Sequence, residues 1–275
     1  MPFKNADTLH NIRKQIDKID NKIHDLIMDR AIVVEEVAKE KKKQNKDNIV
    51  IYRPSREHEI LVRLLNRHIG SFPEKTLISL WRNLISAYIA IQGELSIFYY
   101  GNIEKIVNNH FGLNIRTEKK KTVMEVLKNI KINKSHIAIL PFPDKENDWW
   151  INLINFNDIF VIGSISNNFH GKPEALILGK QEVEYSSYNT ILYLIVLDVK
   201  DVKSYVKFLN SKDYIFIADK NIGNNKSIIM FSTKVNSKQV AENKLLTITN
   251  SKFNIDINPR NIGVYGTLEE RSINE

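Results

Sequence analysis

LHNIRKQIDKIDNKIHDLIMDRAIVVEEVAKEKKK, residues 9–43, decides how this chain begins to fold. Its apolar residues fall at Leu9, Ile12, Ile16, Ile19, Ile23 and Leu26, then at Val33 and Val37, a 3,4 spacing kept over about four heptads. That spacing predicts one long helix of coiled-coil type. Asp7 or Thr8 is placed to cap its start, and the polar run KKKQNKDN (41–48) ends it near residue 45. A helix of about 37 residues is roughly 55 Å long, more than a small domain can cover by itself. Its seam needs other helices or another chain.

Working outward, Pro54 opens a second helix with Ile60, Leu61, Leu64, Leu65 and Ile69 on its apolar face, stopped by Gly70. Pro73 opens a third, with Leu77, Leu80, Trp81, Leu84, Ile85, Tyr88 and Ile89 inward. After Gly93 the period changes. SIFYY (96–100), NIRTE (114–118), HIAILPFP (136–143) and DIFVIGSIS (158–166) read as strands, with helical stretches near 102–112, 121–131 and 147–155. From Thr190 the order is strand TILYLIVLD, helix VKSYVKFLNSK, strands YIFIA and SIIMFST, helix SKQVAENKLLTI and strand NPRNIGVYG, or βαββαβ. The fold class expected is therefore multi-domain: an all-α three-helix unit at 1–95, an α/β lobe at 96–185 and a ferredoxin-like unit at 186–275.

Composition bounds the function. With 275 residues, 43% hydrophobic and 26% charged, the chain is neither disordered nor fibrous. The absence of cysteine excludes disulfides, thiolate metal sites and a Cys nucleophile. The polar opening MPFKNADTLH and the lack of a long apolar run make a soluble, cytoplasmic protein with no membrane partner the expectation. The net charge of +8 divides evenly between residues 1–96 and 97–275, and only Lys39, Lys41, Lys42, Lys43 and Lys46 cluster, at a helix end that favours cations. Nucleic acid is not the expected partner.

Polar residues on apolar faces carry the chemistry. Arg30 occupies the heptad position where Leu or Ile is due, and Lys41 follows three turns later on nearly the same side, about 16 Å along the axis. The pair reads either as a snorkelling Arg and a solvated Lys or as two cations converging on one small dianion. Arg13 precedes Arg30 by some 25 Å of helix. It is either a surface residue or, if it serves the same site, one that arrives on a second, antiparallel copy of the helix. Gln92 continues the apolar series of the third helix, and a buried amide there must find either a structural partner or a ligand oxygen. Arg56 and Glu57 lie in the first turn of the second helix, where an acid is ordinary dipole chemistry.

Together, I-R-x-x-I-D-x-I-D (12–20), D-R-A-x-V-V-x-E-V-A-x-x-K (29–41), Y-R-P-S-R-E (52–57) and a third helix ending in Gln92 resemble the all-helical class of chorismate mutases over residues 8–95. The resemblance implies an intertwined homodimer that rearranges chorismate to prephenate without a cofactor. It implies that Arg13 of one chain, with Arg30 and Lys41 of the other, holds the substrate carboxylates and ether oxygen. Arg56 supports the site, Glu57 accepts from the substrate hydroxyl, and Gln92 donates to the ether oxygen. Two positions depart from the pattern: Tyr88 stands where many relatives have a small hydroxyl residue, and Arg53 where some have an acid.

Residues 96–275 resemble more faintly the part that follows the mutase in fused mutase and prephenate dehydratase proteins, and the final βαββαβ order looks like an ACT regulatory unit. The Thr-Arg dipeptide of that dehydratase is absent, as are the Gly-Ala-Leu and Glu-Ser-Arg-Pro signatures of aromatic amino-acid binding. The expected function is chorismate mutase. The rivals are a bifunctional mutase and dehydratase, a lyase of the same helical fold acting on isochorismate, and a non-catalytic helical dimer with a ligand-sensing C-terminal part, a basic nucleic-acid binder being its weakest form.

Overall fold

The computed structural model of the protein describes residues 4–44, 50–112, 114–144, 146–166, 172–186, 189–242, 253 and 255–266. Three helices come first: α1 (Lys4–Gln44), α2 (Pro54–Arg67) and α3 (Glu74–Gln92). α1 starts earlier than its capping residues predict, so Asp7 and Thr8 lie inside it. Proline opens α2 because its missing N–H is one that no helix start can pair. Two inward assignments need correction. Ile69 lies beyond the end of α2 and is 90% exposed, and Leu80 is half-exposed while Ile78 takes the buried place. α3 turns Ile78, Ile85, Tyr88 and Ile89 inward, a face one step round from the one its spacing suggests.

The rest of the chain builds one sheet. β1 (Ser96–Tyr99), α4 (Glu104–Phe111), β2 (Arg116–Lys119), α5 (Val123–Ile132), β3 (His136–Pro141), a 3₁₀ segment (Trp149–Asn155), β4 (Phe160–Ile165) and β5 (Ala175–Gly179) follow in order. Then come β6 (Asn189–Asp198), α6 (Val202–Asn210), β7 (Ile215–Gly223), β8 (Lys226–Val235), a helical stretch beginning at residue 238 and β9 (Ile255–Gly266). The later part of the predicted helix 237–248 falls outside the described residues. The strand order is β2-β1-β3-β5-β4-β9-β6-β8-β7. β1 runs parallel to both neighbours, while β5 lies antiparallel between β3 and β4. β5 is absent from the sequence reading because its five buried residues show no alternation.

The pleat explains where the cores sit. Ile97, Ile137, Ile139 and Ile177 face one side and pack with Tyr52, Ile60, Ile85 and Ile89 of the helical unit and with Val107 and Phe111 of α4. Phe98, Ala138, Leu140 and Leu178 face the other, under α5 and the two tryptophans of the 3₁₀ segment. That second core continues through Leu192, Leu194, Met230 and Ile262. β6 is buried on both faces, since Ile191, Tyr193 and Ile195 pack under α6. Two glycines permit close approaches. A Cβ at Gly163 would stand 2.7 Å from Pro54 Cβ, so α2 can lie directly on β4. Gly263, at φ +137°, would place a Cβ 2.0 Å from Val161 O, at the one β4–β9 pairing that joins the sheet into a single layer. Among the described residues no helix is long and apolar enough to cross a membrane.

Candidate active site

The site forms where the C-terminal half of α1 lies along α3. Lys41 Nζ donates to Gln92 Oε1 at 3.0 Å and to the Val50 carbonyl at 3.0 Å. Gln92 Nε2 donates to the Tyr88 carbonyl at 3.3 Å. The amide is thus fixed at one hydrogen, and its second N–H remains available to a ligand. One turn back, the Arg30 guanidinium carbon stands 4.1 Å from the centre of the Tyr88 ring, a cation–π contact. The Tyr88 hydroxyl donates to the Ile27 carbonyl at 3.0 Å, which pins the ring beneath that cation. Arg30 Nη1 is buried with no hydrogen-bond partner among the described residues.

Electrostatics follow from this crowding. Burial holds the Lys41 ammonium below its ordinary pKa, the Arg53 charge adds to the depression, and Glu184 opposes it. Glu184 comes from the segment between β5 and β6. Its carboxylate accepts from Arg53 Nε at 2.8 and 3.1 Å and from the Ser55 hydroxyl. A residue of the α/β part therefore borders the helical site. Arrayed this way, two cations, an amide N–H and an aromatic face can bind a small anion and stabilise charge growing on an oxygen.

Four of the eight residues singled out from the sequence therefore meet: Arg30, Lys41, Tyr88 and Gln92, with Arg53 at their edge. Arg13 lies exposed along α1, away from them. Arg56 is exposed and pairs with Glu59 at 3.1 Å. Glu57 belongs to a different cluster. It is 8% exposed, 3.5 Å from both Arg82 Nε and His110 Nε2, and hydrogen-bonded to Tyr52. Burial raises its carboxyl above the usual range, against the pull of Arg82 and Tyr52. Arg82 escaped the sequence reading, although it interrupts the buried stripe of Ile78, Ile85 and Ile89 as Arg30 interrupts that of α1. Nothing local marks Glu184, which acts 131 residues from Arg53. Among the described residues no group of three or more His, Asp or Glu is arranged to hold a metal ion.

Residues 12–93 match the family described as chorismate mutase type II. The chain is 26% identical over 175 residues to a bifunctional chorismate mutase/prephenate dehydratase of Stutzerimonas stutzeri, covering 60% of this chain and 48% of that protein. It is 27% identical over 143 residues to the protein of the same description from Aquifex aeolicus, covering 48% and 38%. The chain thus spans about half the length of these curated relatives, or less. Among solved structures, a prephenate dehydratase from Streptococcus mutans aligns at 12% identity with a TM-score of 0.47, over 64% of this chain and 100% of that one.

Proposed function

We propose, from the premise that residues 12–93 carry a chorismate mutase type II domain, that the chain rearranges chorismate to prephenate. The observation that carries the reading is the 3.0 Å bond between Lys41 and Gln92, 51 residues apart, with Arg30 on the same side. The reaction is an intramolecular pericyclic shift. It needs no nucleophile and no cofactor, only a surface that holds a flexible dianion in its compact form while the C–O bond breaks. Lys41 and the second N–H of Gln92 meet the ether oxygen as its negative charge grows. Arg30, braced on the Tyr88 ring, takes a carboxylate in bidentate fashion.

Arg13 enters from a second copy of α1 running antiparallel, in a homodimer. In support, Leu9, Ile12, Ile16, Ile19, Ile23 and Leu26 along this seam are each 47–67% exposed in one chain. Arg56 in support of the site, and Glu57 as acceptor of the substrate hydroxyl, would both have to leave their present partners. The proposal therefore rests on Arg13, Arg30, Lys41 and Gln92. For the remainder we assign an α/β lobe at 96–185, half of a dehydratase-like domain, and an ACT-like, ferredoxin-like unit at 186–275. The antiparallel order β9-β6-β8-β7 supports the second assignment. The setting assigned is the cytoplasm.

A continuous assay of chorismate loss with the purified chain tests the proposal. Saturable conversion to prephenate, abolished or greatly slowed by Arg30→Ala, is the expected result; no protein-dependent conversion would sink it. The bifunctional reading draws on the relatives' double activity. Against it, no Thr in the chain is followed by an Arg.

A further inference from the structure

Glu184 stands in the segment between β5 and β6, yet its carboxylate accepts hydrogen bonds from the residues that open α2. Arg53 precedes the first turn of that helix in an extended conformation, and its side chain makes no capping bond. The helix therefore leaves the guanidinium free to turn, and Glu184 fixes it through Nε at 2.8 and 3.1 Å. The same carboxylate holds the Ser55 hydroxyl, beside a helix start where negative charge is favoured. With side chains 50% and 35% exposed, the Arg53–Glu184 pair adds little to stability. Its effect lies with its neighbours. Three residues before Arg53, the Val50 carbonyl accepts from Lys41 Nζ at 3.0 Å, so the clamped stretch is the one on which that ammonium rests.

Each element around Lys41 presents a different group to it. α3 offers the uncharged Gln92, the stretch before α2 offers the Val50 carbonyl and the Arg53 cation, and the β5–β6 segment offers Glu184. On α1 itself, Lys42 and Lys43 are exposed, Glu40 pairs with Lys43 at 3.3 Å, and Arg30 lies three turns away on the Tyr88 ring. Arg53 and Glu184 act on the ammonium with opposite signs, the guanidinium against its proton and the carboxylate in favour of it. We propose that Glu184 is a positioning residue for the Lys41 site, holding the stretch from Val50 to Ser55 against the ammonium and cancelling the guanidinium charge beside it. As a part in catalysis this rests on the mutase reading; as control of Lys41 it does not. A residue of the sheet region thus governs a cation of the helical unit, and residues 12–93 do not carry the whole of their own site.

Acylation of the full chain with acetic anhydride across a range of pH, followed by mass spectrometry of the peptide that carries Lys41, reads the titration of that amine without any substrate. Glu184→Gln keeps the size of the side chain and removes its charge. Its Lys41 midpoint should move to lower pH, with acylation at pH 8 roughly threefold faster than in the wild type. Arg53→Ala should move the midpoint to higher pH, and Arg53→Ala/Glu184→Gln should bring it back close to the wild type. That order is the mark of paired charges, and a merely loosened segment does not produce it. In the chorismate assay, kcat/KM of Glu184→Gln should fall roughly threefold further below the wild type on the alkaline limb than at pH 6.5. An unmoved Lys41 midpoint in Glu184→Gln would overturn the proposal. So would a double variant that stays with Glu184→Gln, or a loss of kcat/KM equal at every pH. If the wild type converts no chorismate while the four midpoints fall in this order, the mutase reading fails and the control of Lys41 by Glu184 stands.

Discussion

Arg30 and Gln92 each interrupt an apolar stripe, and the structure sets Gln92 on the Lys41 ammonium and Arg30 on the Tyr88 ring rather than leaving them in solvent. Arg30→Ala and Gln92→Ala should each lower kcat/KM by roughly 100-fold or more, the usual cost of removing one preorganised donor from a developing oxyanion. A folded variant with near-native turnover would discharge that residue from its role. Gln92 does not titrate, so the rate should be nearly flat from about pH 6 to 9. Lys41 must be protonated to work, and burial lowers its pKa. The alkaline limb should therefore begin below the ordinary lysine range, and a steep acid optimum instead would mean that a carboxylic acid does the donating. His58 bears on stability. Its folded pKa of about 4 lies below the 6.5 of the free group, so the unfolded chain binds its proton first. Its contribution is complete above pH 6.5 and disappears as pH falls toward 4, about 3 kcal/mol for a shift of this size. His110 acts in the same direction and the raised carboxyl of Glu57 in the opposite one. In urea titrations at pH 7 and 4.5, His58→Gln should narrow the stability difference of the wild type; an unchanged difference would contradict the assignment.

At the scale of elements, α1 is anomalous. It is 41 residues long, yet only Ala38 among its described apolar side chains is buried. Burial is worth about 25 cal/mol per Å² of apolar surface, so a seam of this length is a strong drive toward a second copy. If two chains share two sites, Arg13→Ala and Arg30→Ala chains complement each other. One site of each heterodimer carries both defects and the other carries neither. Mixing the two inactive variants should restore part of the activity on subunit exchange. If exchange is verified by mass and activity stays at the level of the variants, Arg13 acts within its own chain or not at all. The helix itself was legible because a 3,4 repeat is local. The inward turn of α3 to Ile78 was not, because its spacing fits two adjacent faces and only packing against Leu61 and Leu65 selects one.

The whole molecule is tied together by Gly163 under Pro54, by the Gly263 crossing, and by Glu184 reaching Arg53 and Ser55. The helical unit and the sheet thus share a core, and the sheet runs without a break from β2 to β7. The resemblance to fused mutase and dehydratase proteins implies a Thr-Arg pair for that chemistry, and here no Thr precedes an Arg. The full chain, given prephenate near neutral pH, should form no phenylpyruvate above the spontaneous rate. Enzyme-dependent phenylpyruvate that persists after removal of residues 1–95 would establish the bifunctional reading instead.

The sequence by itself determined the three helices, most of the strands and the polar residues that stand on apolar faces. All of these are written in spacings of two to four residues, the range over which one residue's orientation constrains the next. Only the tertiary structure decided that β5 enters between β3 and β4, that Glu57 pairs with Arg82 and His110 instead of joining Lys41, and that Glu184 closes on Arg53. These are meetings of residues 10 to 131 positions apart along the chain. No local periodicity encodes them, because such partners are chosen by how the helical unit and the sheet pack against each other, and that choice exists only once both have formed.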